Sequence, residues 1–329
     1  MTAVVSTYLV AWWNLENLFD EEDSPRRSDK LKRVLGSSIS GWTPARRDRK
    51  ISQLASVIAA MNAGAGPDLL GVCEIENAFV LRALADAVGA LLPERQYEMV
   101  HADTIDERGI DVAFLYDPSL FTAPPDQRFQ HVVMRRTATR EIVQVNFTTH
   151  RGRTWAVFGN HWPSRSGGEL ESAGYRAIAG ETLAYFHQRV LEVHGSDTPV
   201  LAMGDFNDEP HDASLVRHAL STRQRTKVLS GTTPRLWNLM WPLHGAGLGT
   251  FYFDNYANIL DQFLVNKNMI KQGSPIRVEP ETAQIFHIPG QASTGAYPAP
   301  IPFGGMGKPV NPDGYSDHYP ITVTITEAD

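Results

Sequence analysis

Six short motifs of acidic, amide and histidine residues could form a polar site, and each follows or interrupts an apolar run. They occupy residues 13–17, 74–77, 159–165, 204–208, 260–262 and 316–318. Carboxylate and amide oxygens suit a hard divalent cation, and imidazole donors suit the charge on a phosphate oxygen. We therefore predict one site for a divalent cation and a phosphate ester, assembled at one end of a sheet.

One motif contains Asp205 and Asn207, which follow the apolar run 200–203. In an extended chain, residues two apart project to the same face. In such a pair the carboxylate can orient a water molecule, and the amide can donate to a phosphate oxygen. The alternative is a polar turn, since Gly, Asp and Asn all favour turns. The apolar strand that leads into the pair favours function.

Asn14, Glu74 and Asp317 are candidates for the metal site. Asn14 and Glu74 each end an apolar run, and Asp317 lies between a glycine-rich segment and the run 320–325. Mg²⁺ prefers oxygen ligands of these types. Glu16 and Glu76 are alternatives if the chain stays extended. Asp317 and His318 can reach one site only if the strand start is twisted or bulged; otherwise they form a surface turn.

Two histidines could contact phosphate. Asp261 lies inside an apolar run, where an acid is costly unless it is paired. His318 is its candidate partner, and a salt bridge to a lysine or arginine is the alternative. His161 ends another run and could stabilise developing negative charge, with Arg165 binding a phosphate oxygen. A lone histidine at a strand end is more often structural, so His161 depends on its neighbours.

The elements that position these residues are short β-rich runs separated by amphipathic helices. Strands are predicted at 8–13, 69–73, 97–101, 110–116, 129–134, 142–148, 154–160, 200–204, 258–265 and 321–325. Apolar residues at helical spacing predict helices within 51–61, 80–91, 179–193 and 213–220. The mixture predicts sheets covered by helices in a layered α/β or α+β domain.

Two long segments without clear periodicity, 20–42 and 286–316, adjoin the motifs. Long loops in a compact domain are usually functional, which favours rims or lids over simple insertions. Residues 26–50 are also locally basic, either as a solvated surface or as a rim that meets phosphates. The basic residues are Arg26, Arg27, Lys30, Lys32, Arg33, Arg46, Arg47, Arg49 and Lys50.

Composition restricts the class of protein. The 329 residues carry a net charge of −7, which argues mildly against tight nonspecific DNA binding but does not exclude a nuclease. The single cysteine, Cys73, permits neither an intramolecular disulfide nor a cysteine zinc site, and its apolar surroundings predict a core residue. No apolar run is long enough for a membrane helix. A cytoplasmic protein is favoured, with secretion after signal removal as the alternative.

Taken in order, the motifs resemble the endonuclease/exonuclease/phosphatase family, which includes DNase I-like enzymes. The resemblance rests on Gly204–Asp205–Phe206–Asn207, on the terminal Ser316–Asp317–His318 and on the motif order over nearly the whole chain. It implies one domain over residues 1–329, folded as a four-layer α/β sandwich of two packed β-sheets flanked by helices.

The resemblance also implies roles for the site residues. It makes Asn14, Glu74 and Asp317 the Mg²⁺ site, with Mn²⁺ or Ca²⁺ as alternatives. Asp205 then activates water, with Asn207 contacting phosphate. His318, supported by Asp261, and His161 are the histidines at the scissile bond. The segment 101–111 matches the family's middle motif more loosely, so His101, Arg108 and Asp111 are given no role.

The activity that the resemblance implies is phosphoester hydrolysis by direct water attack. A Mg²⁺-dependent nuclease is the first hypothesis, with nucleic acid as substrate. A phosphodiesterase or phosphatase acting on lipid headgroups or small phosphorylated molecules is the second. A non-catalytic binding module is the third, and the intact motifs disfavour it. We expect a monomer without stable membrane insertion.

Overall fold

The chain forms two large β-sheets with helices on their outer faces. The computed structural model describes residues 5–104, 109–134 and 140–329. The α-helices are α1 (Asp29–Leu35), α2 (Pro44–Gly64), α3 (Ala78–Leu91), α4 (Glu169–Val193) and α5 (Arg225–Ser230). A π-helical turn covers Ser214–His218, within the range where a fourth helix was predicted.

The first sheet has the order β15-β16-β1-β2-β4-β3. Its strands are β1 (Val5–Leu18), β2 (Leu69–Ile75), β3 (Glu98–Ala102), β4 (Asp111–Tyr116), β15 (Ile276–Ile285) and β16 (Ile321–Ala328). β1 is parallel to β2 and antiparallel to β16. The carboxyl ends of β1 and β2 therefore meet the segment that enters β16.

The second sheet has the order β10-β11-β14-β9-β8-β7-β5, with β6 also paired to β7. Its strands are β5 (Phe121–Thr122), β6 (Arg128–His131), β7 (Ile142–Thr149), β8 (Thr154–His161), β9 (Val200–Asp205), β10 (Ser221–Thr222), β11 (Leu236–Asn238) and β14 (Asp261–Asn266). A separate hairpin pairs β12 (Phe251–Phe253) with β13 (Tyr256–Asn258). β8 and β9 are parallel, and β14 begins opposite the end of β9.

Alternation along β1 shows how the layers form. Val10 and Trp12 pack between the two sheets, whereas Ala11 and Trp13 pack against α2 and α3 on the outer face. Successive strand residues point to opposite faces, so an apolar run with two buried faces needs a covering layer on each. Helix α4 covers the outer face of the second sheet. The four-layer sandwich is therefore confirmed.

Some elements were not predicted. Helix α1 lies inside the segment 20–42; Ser28 caps it by accepting from the Leu31 N–H, and Leu35 packs beside Trp42. Strand β15 was missed because Pro280 interrupts it, and its register shifts between Glu279 and Gln284. A proline is tolerated on an edge strand of this kind. The assignment of residues 1–329 to one domain stays a prediction.

Candidate active site

Asp205 lies where the two sheets bring the polar motifs together. Its Oδ2 accepts from Asn14 Nδ2 at 3.1 Å and lies 3.8 Å from His161 Nε2 and 4.0 Å from His318 Nε2. The residue is 1% exposed. Burial raises the pKa of Asp205 to about 6, with His318 opposing and Asp261 reinforcing the rise. A buried carboxylate with this pKa suits proton transfer near neutral pH.

Asn207 meets Asp205 through a turn. Its φ angle is 50°, so the chain has left the extended conformation that we predicted. The Asn207 N–H donates to Asp205 Oδ1 at 2.9 Å, and Nδ2 donates to the Trp162 carbonyl at 3.0 Å. The two side chains are together as expected, but the physical reason is an Asp-centred turn.

The pairing of Asp261 with His318 is confirmed. His318 Nδ1 lies 2.7 Å from Asp261 Oδ2, and Trp12 Nε1 donates to Asp261 Oδ1 at 3.1 Å. Burial opposes a charge on the imidazole, but Asp261 and Asp205 outweigh it and raise the pKa of His318 well above its usual range. The two carboxylates therefore favour the charged form of the imidazole, whose Nε2 lies 4.0 Å from Asp205 Oδ2.

His161 has a cationic neighbour that the sequence did not indicate. The Arg140 guanidinium donates through Nε to His161 Nδ1 at 3.1 Å, and its Nη2 lies 2.8 Å from His161 Nε2. Both residues are buried. His161 Nε2 also lies 3.5 Å from Glu74 Oε1. Arg140 precedes β7 outside every motif, so only the fold brings its charge into the site.

The predicted metal residues are linked to this site by their contacts, because Asn14 meets Asp205, Glu74 approaches His161, and Asp317 is influenced by the charge of Glu74. Glu74 has a φ angle of 64° at the bulge that ends β2, and its Oε2 accepts from the Asn17 N–H at 2.9 Å. Bulges next to active sites commonly redirect side chains in this way. Burial raises the pKa of Asp317, and the carboxylate of Glu74 adds to the rise. These like charges and their oxygen chemistry fit a divalent cation.

A second set of groups in the site also has spacing that could hold an ion. One carboxylate oxygen each of Asp205 and Asp261 and one ring nitrogen of His318 lie within 4.8 Å of one another. The close His318–Asp261 contact already uses one of these carboxylates. Asn14, Glu74 and Asp317 therefore stay our predicted ligands.

Glu16 and Glu76 were the alternatives, and the carboxylate of each accepts hydrogen bonds from neighbouring loops. Glu16 accepts from the N–H groups of Phe303 (2.7 Å) and Gly304 (3.2 Å). Glu76 receives Arg27 at 2.8 and 2.7 Å through both oxygens. The extended chain that would have aligned them with Asn14 and Glu74 is interrupted at Glu16 and Glu74, which have positive φ angles.

Much of the basic stretch 26–50 is neutralised within the protein. Arg26 and Arg47 both pair with Asp20, and Arg49 pairs with Asp313. Lys50 is fully buried and donates to the Glu16 carbonyl, and burial lowers its pKa against the attraction of Glu16 and nearby acids. These contacts favour the structural interpretation of the stretch over a phosphate-binding rim.

Arg165 binds the turn after β9. Its Nε donates to the Asn207 carbonyl at 2.8 Å, and its Nη2 donates to Asp208 at 3.0 Å and Asp212 at 2.7 Å. These bonds hold the turn in place, and the binding of a phosphate oxygen by Arg165 stays a prediction.

In the looser middle motif, His101 Nε2 lies 2.8 Å from Asp111 Oδ2. Arg108 lies outside the described residues. Cys73 is fully buried, as predicted. Among the described residues, no helix has the length and apolar character needed to cross a membrane.

Comparisons with known proteins agree with this geometry. The profile of the Endonuclease/Exonuclease/phosphatase family matches residues 9–327. The chain belongs to this family. Its members are metal-dependent phosphoesterases, so the chain is assigned to the hydrolases. A search of curated proteins gives no match.

Solved structures of the family share the fold at low identity. A mannosyl-6-phosphatase from Bacteroides thetaiotaomicron is 16% identical, with a TM-score of 0.53 and coverage of 97% of this chain and 99% of that chain. The human Nocturnin catalytic domain with bound sulfate is 14% identical, with a TM-score of 0.54 and coverage of 99% and 98%. Danio rerio TDP2 complexed with a single-stranded DNA product is 14% identical, with a TM-score of 0.55 and coverage of 97% and 99%.

Proposed function

We propose that this chain is a divalent-metal-dependent phosphodiesterase that cleaves nucleic acid by direct attack of water. The observation that carries the proposal is the position of Asp205. Its Oδ2 is bound by Asn14 and lies within 4.0 Å of both His161 and His318, at the junction of the two sheets. A buried carboxylate in this position can take a proton from water, and the two imidazoles beside it can donate hydrogen bonds to the phosphate.

In the proposed reaction, Asp205 takes a proton from water while the water oxygen forms a bond to phosphorus. The bond from phosphorus to the leaving oxygen breaks, and that oxygen takes a proton from solvent. Asn14 and Asn207 orient the Asp205 carboxylate. Protonated His318 donates to a phosphate oxygen from Nε2, and Asp261 maintains its charge. His161 and Arg140 lie on the other side of Asp205 and supply further donors.

Glu74, Asp317 and Asn14 would hold the cation, which we propose to be Mg²⁺, with Mn²⁺ or Ca²⁺ as alternatives. A bound divalent ion neutralises charge on the phosphate and on the leaving oxygen. The raised pKa of Asp317 supports this set, because burial and the neighbouring Glu74 both disfavour two bare carboxylates at the position.

Nucleic acid is favoured by aromatic side chains beside the site. Phe251 forms an isolated bridge with His318, and their rings lie 4.8 Å apart. The hairpin that begins at Phe251 exposes Phe253 (69%) and Tyr256 (77%). Exposed rings of this kind can stack on bases without sequence preference. The DNA product bound to the similar TDP2 fold agrees with this choice.

A small phosphate ester is the second candidate, and the neutralised basic stretch favours it. Arg26, Arg47 and Arg49 are paired internally and give little attraction for a polyanion. The net charge of −7 acts in the same direction. The similar mannosyl-6-phosphatase shows that the fold accommodates a phosphatase.

Parallel assays would separate these functions. Wild type, Asp205→Asn and Asp86→Asn would be incubated with single-stranded DNA, plasmid, sugar phosphates, inositol phosphates and sphingomyelin, with Mg²⁺ or Mn²⁺. Asp86 is exposed on α3, so Asp86→Asn is the matched control. We expect DNA cleavage by wild type and Asp86→Asn and none by Asp205→Asn. Turnover of the small or lipid esters alone would select the second candidate. No turnover of any substrate would refute both.

A further inference from the structure

A cluster of metal-binding side chains lies outside the residues assigned to catalysis. Glu209, His211 and His244 each place one ligand atom within 4.8 Å of the other two. His244 Nδ1 lies 3.5 Å from Glu209 Oε2, and the two imidazole centroids are 4.9 Å apart. Ligand atoms on a tetrahedral ion with bonds of about 2.0–2.2 Å lie about 3.3–3.6 Å apart. The contact between His244 and Glu209 already has this length, and side-chain rotation would bring the remaining pairs, which lie within 4.8 Å, to the same distance.

The three groups are held near one another but remain available to an ion. The Glu209 carboxylate is buried against the Ile259 N–H, which lies 3.2 Å from each of its oxygens. The His211 and His244 side chains are 49% and 39% exposed. Within the described residues, neither imidazole makes a hydrogen bond. His211 Nε2 approaches Asp212 Oδ1 only to 4.0 Å.

We propose that Glu209, His211 and His244 form a second metal site that binds Zn²⁺. Two imidazoles and one carboxylate are a common zinc ligand set, with a fourth position for water or Asp212. Mg²⁺ prefers oxygen ligands in octahedral geometry, so the two sites select different ions.

The ion would cross-link two segments that rim the active site. Glu209 and His211 lie in the turn that follows Asp205 and Asn207, whereas His244 ends the 3₁₀ turn Trp241–Leu243. The first segment is already fixed by Arg165 and by the Ile259 contact. The second segment is largely exposed from residue 244 to 247. Zinc would therefore order residues 241–249 and shape the rim without acting on the scissile bond.

Metal binding can be measured independently of catalysis. Chelator-stripped protein in excess Mg²⁺ would be titrated with Zn²⁺ by calorimetry and with Co²⁺ by visible absorption. The variants are His211→Ala, His244→Ala and their double variant, with His218→Ala as the matched control. His218 is a partly exposed histidine that lies 2.8 Å from Glu181 and outside the cluster. Glu74→Gln/Asp317→Asn removes ligands from the catalytic site.

We expect one Zn²⁺ to bind wild type, His218→Ala and the Glu74→Gln/Asp317→Asn variant with similar affinity. Loss of an outer partner of a metal ligand costs about 10–100-fold, so loss of a ligand itself should weaken binding by more than about 100-fold. Zn²⁺ should also protect the amides of 241–249 from hydrogen exchange, except in the double variant. Equal affinity in the double variant and wild type, or no binding by wild type, would overturn the proposal. Neither readout requires phosphoesterase activity.

Discussion

The Asp261→Asn substitution tests how the His318 imidazole is kept charged. Trp12 Nε1 donates to Asp261 Oδ1, so an asparagine would keep its oxygen there and present Nδ2 to His318. His318 Nδ1 would then have to accept, which selects the neutral ring with its proton on Nε2. The donor to phosphate survives in this variant, but its positive charge does not.

The magnitude follows from the contact that is lost. A hydrogen bond to a charged group is worth about 1.5–3 kcal/mol. If that energy is expressed in the transition state, kcat/KM falls by about 10- to 150-fold, because about 1.36 kcal/mol corresponds to a factor of ten. His318→Ala, which removes the donor as well, should cost more than Asp261→Asn.

The pH profile separates a charge effect from simple damage. Proximity to Asp261 and Asp205 raises the pKa of His318, so removing one carboxylate lowers it. Activity that needs protonated His318 is lost as pH rises through that pKa. The basic limb of log kcat/KM against pH should therefore move to lower pH in Asp261→Asn but not in Asp86→Asn. An unchanged basic limb together with unchanged kcat/KM would refute the assigned role of the pair.

Three further perturbations test other parts of the structure. Arg27→Met should lower the free energy of unfolding, measured by urea denaturation, by about 3–5 kcal/mol, because it leaves the buried carboxylate of Glu76 without its ion-pair partner. The double variant Arg27→Met/Glu76→Gln should recover much of this loss, and a cost of the single variant below about 1 kcal/mol would contradict a buried ion pair. Burial lowers the pKa of His187 to about 4, so the unfolded chain binds more protons than the folded chain between pH 4 and 6.5. The free energy of unfolding should therefore fall by up to about 3 kcal/mol as pH drops through that window, and His187→Phe should flatten this dependence on pH in acid-denaturation curves. The double variant Phe253→Ala/Tyr256→Ala should raise KM for single-stranded DNA at least about tenfold, because each base stacked on an aromatic ring is worth about 1–3 kcal/mol. Hydrolysis of a small diester should be unchanged, and equal KM values of the variant and wild type for DNA would exclude the stacking surface.

The sequence indicated the site most clearly where apolar strands end in polar residues. Asp205 and His161 end neighbouring parallel strands in register, and Asp261 begins the strand opposite Asp205. The local sequence was enough to identify each of these residues as a candidate, because burying a polar group costs free energy unless the group is paired. The shared position of the motifs then follows from strands that end at the same edge.

Irregular backbone conformations limited the prediction of which acidic side chains face the site. Glu16, Glu74 and Asn207 have positive φ angles, which are uncommon for residues with a Cβ atom. Strand periodicity assigns Glu16 and Glu76 to the same face as the residues two positions earlier, but the bulges cancel that periodicity. Bulges and turns depend on contacts such as those of Glu16 with the loop at 303–304, which the local sequence does not encode.

The buried cations were also beyond local reasoning. Lys50 follows the exposed Arg49 in the same basic run of α2, yet its ammonium group is enclosed by Trp42, Phe303 and the Glu16 carbonyl. Arg140 lies before a strand that carries no motif. Hydrophobic patterns report where apolar residues must be buried, but a lysine or arginine is buried only where a partner from another element compensates its charge.

The buried acids of the site explain why it suits phosphate chemistry although the protein carries a net negative charge. Burial raises the pKa values of Asp205 and Asp317, and it raises that of Glu16 to about 7, so several acids here resist ionisation together. A cation held by some of these acids lowers that cost and also attracts a phosphate to donors that already face inward. The attraction is therefore local to the site and does not require a basic surface. We expect substrate choice to depend on the loops around the site, and we propose that the exposed hairpin 251–258 and the segment 241–249 are among them.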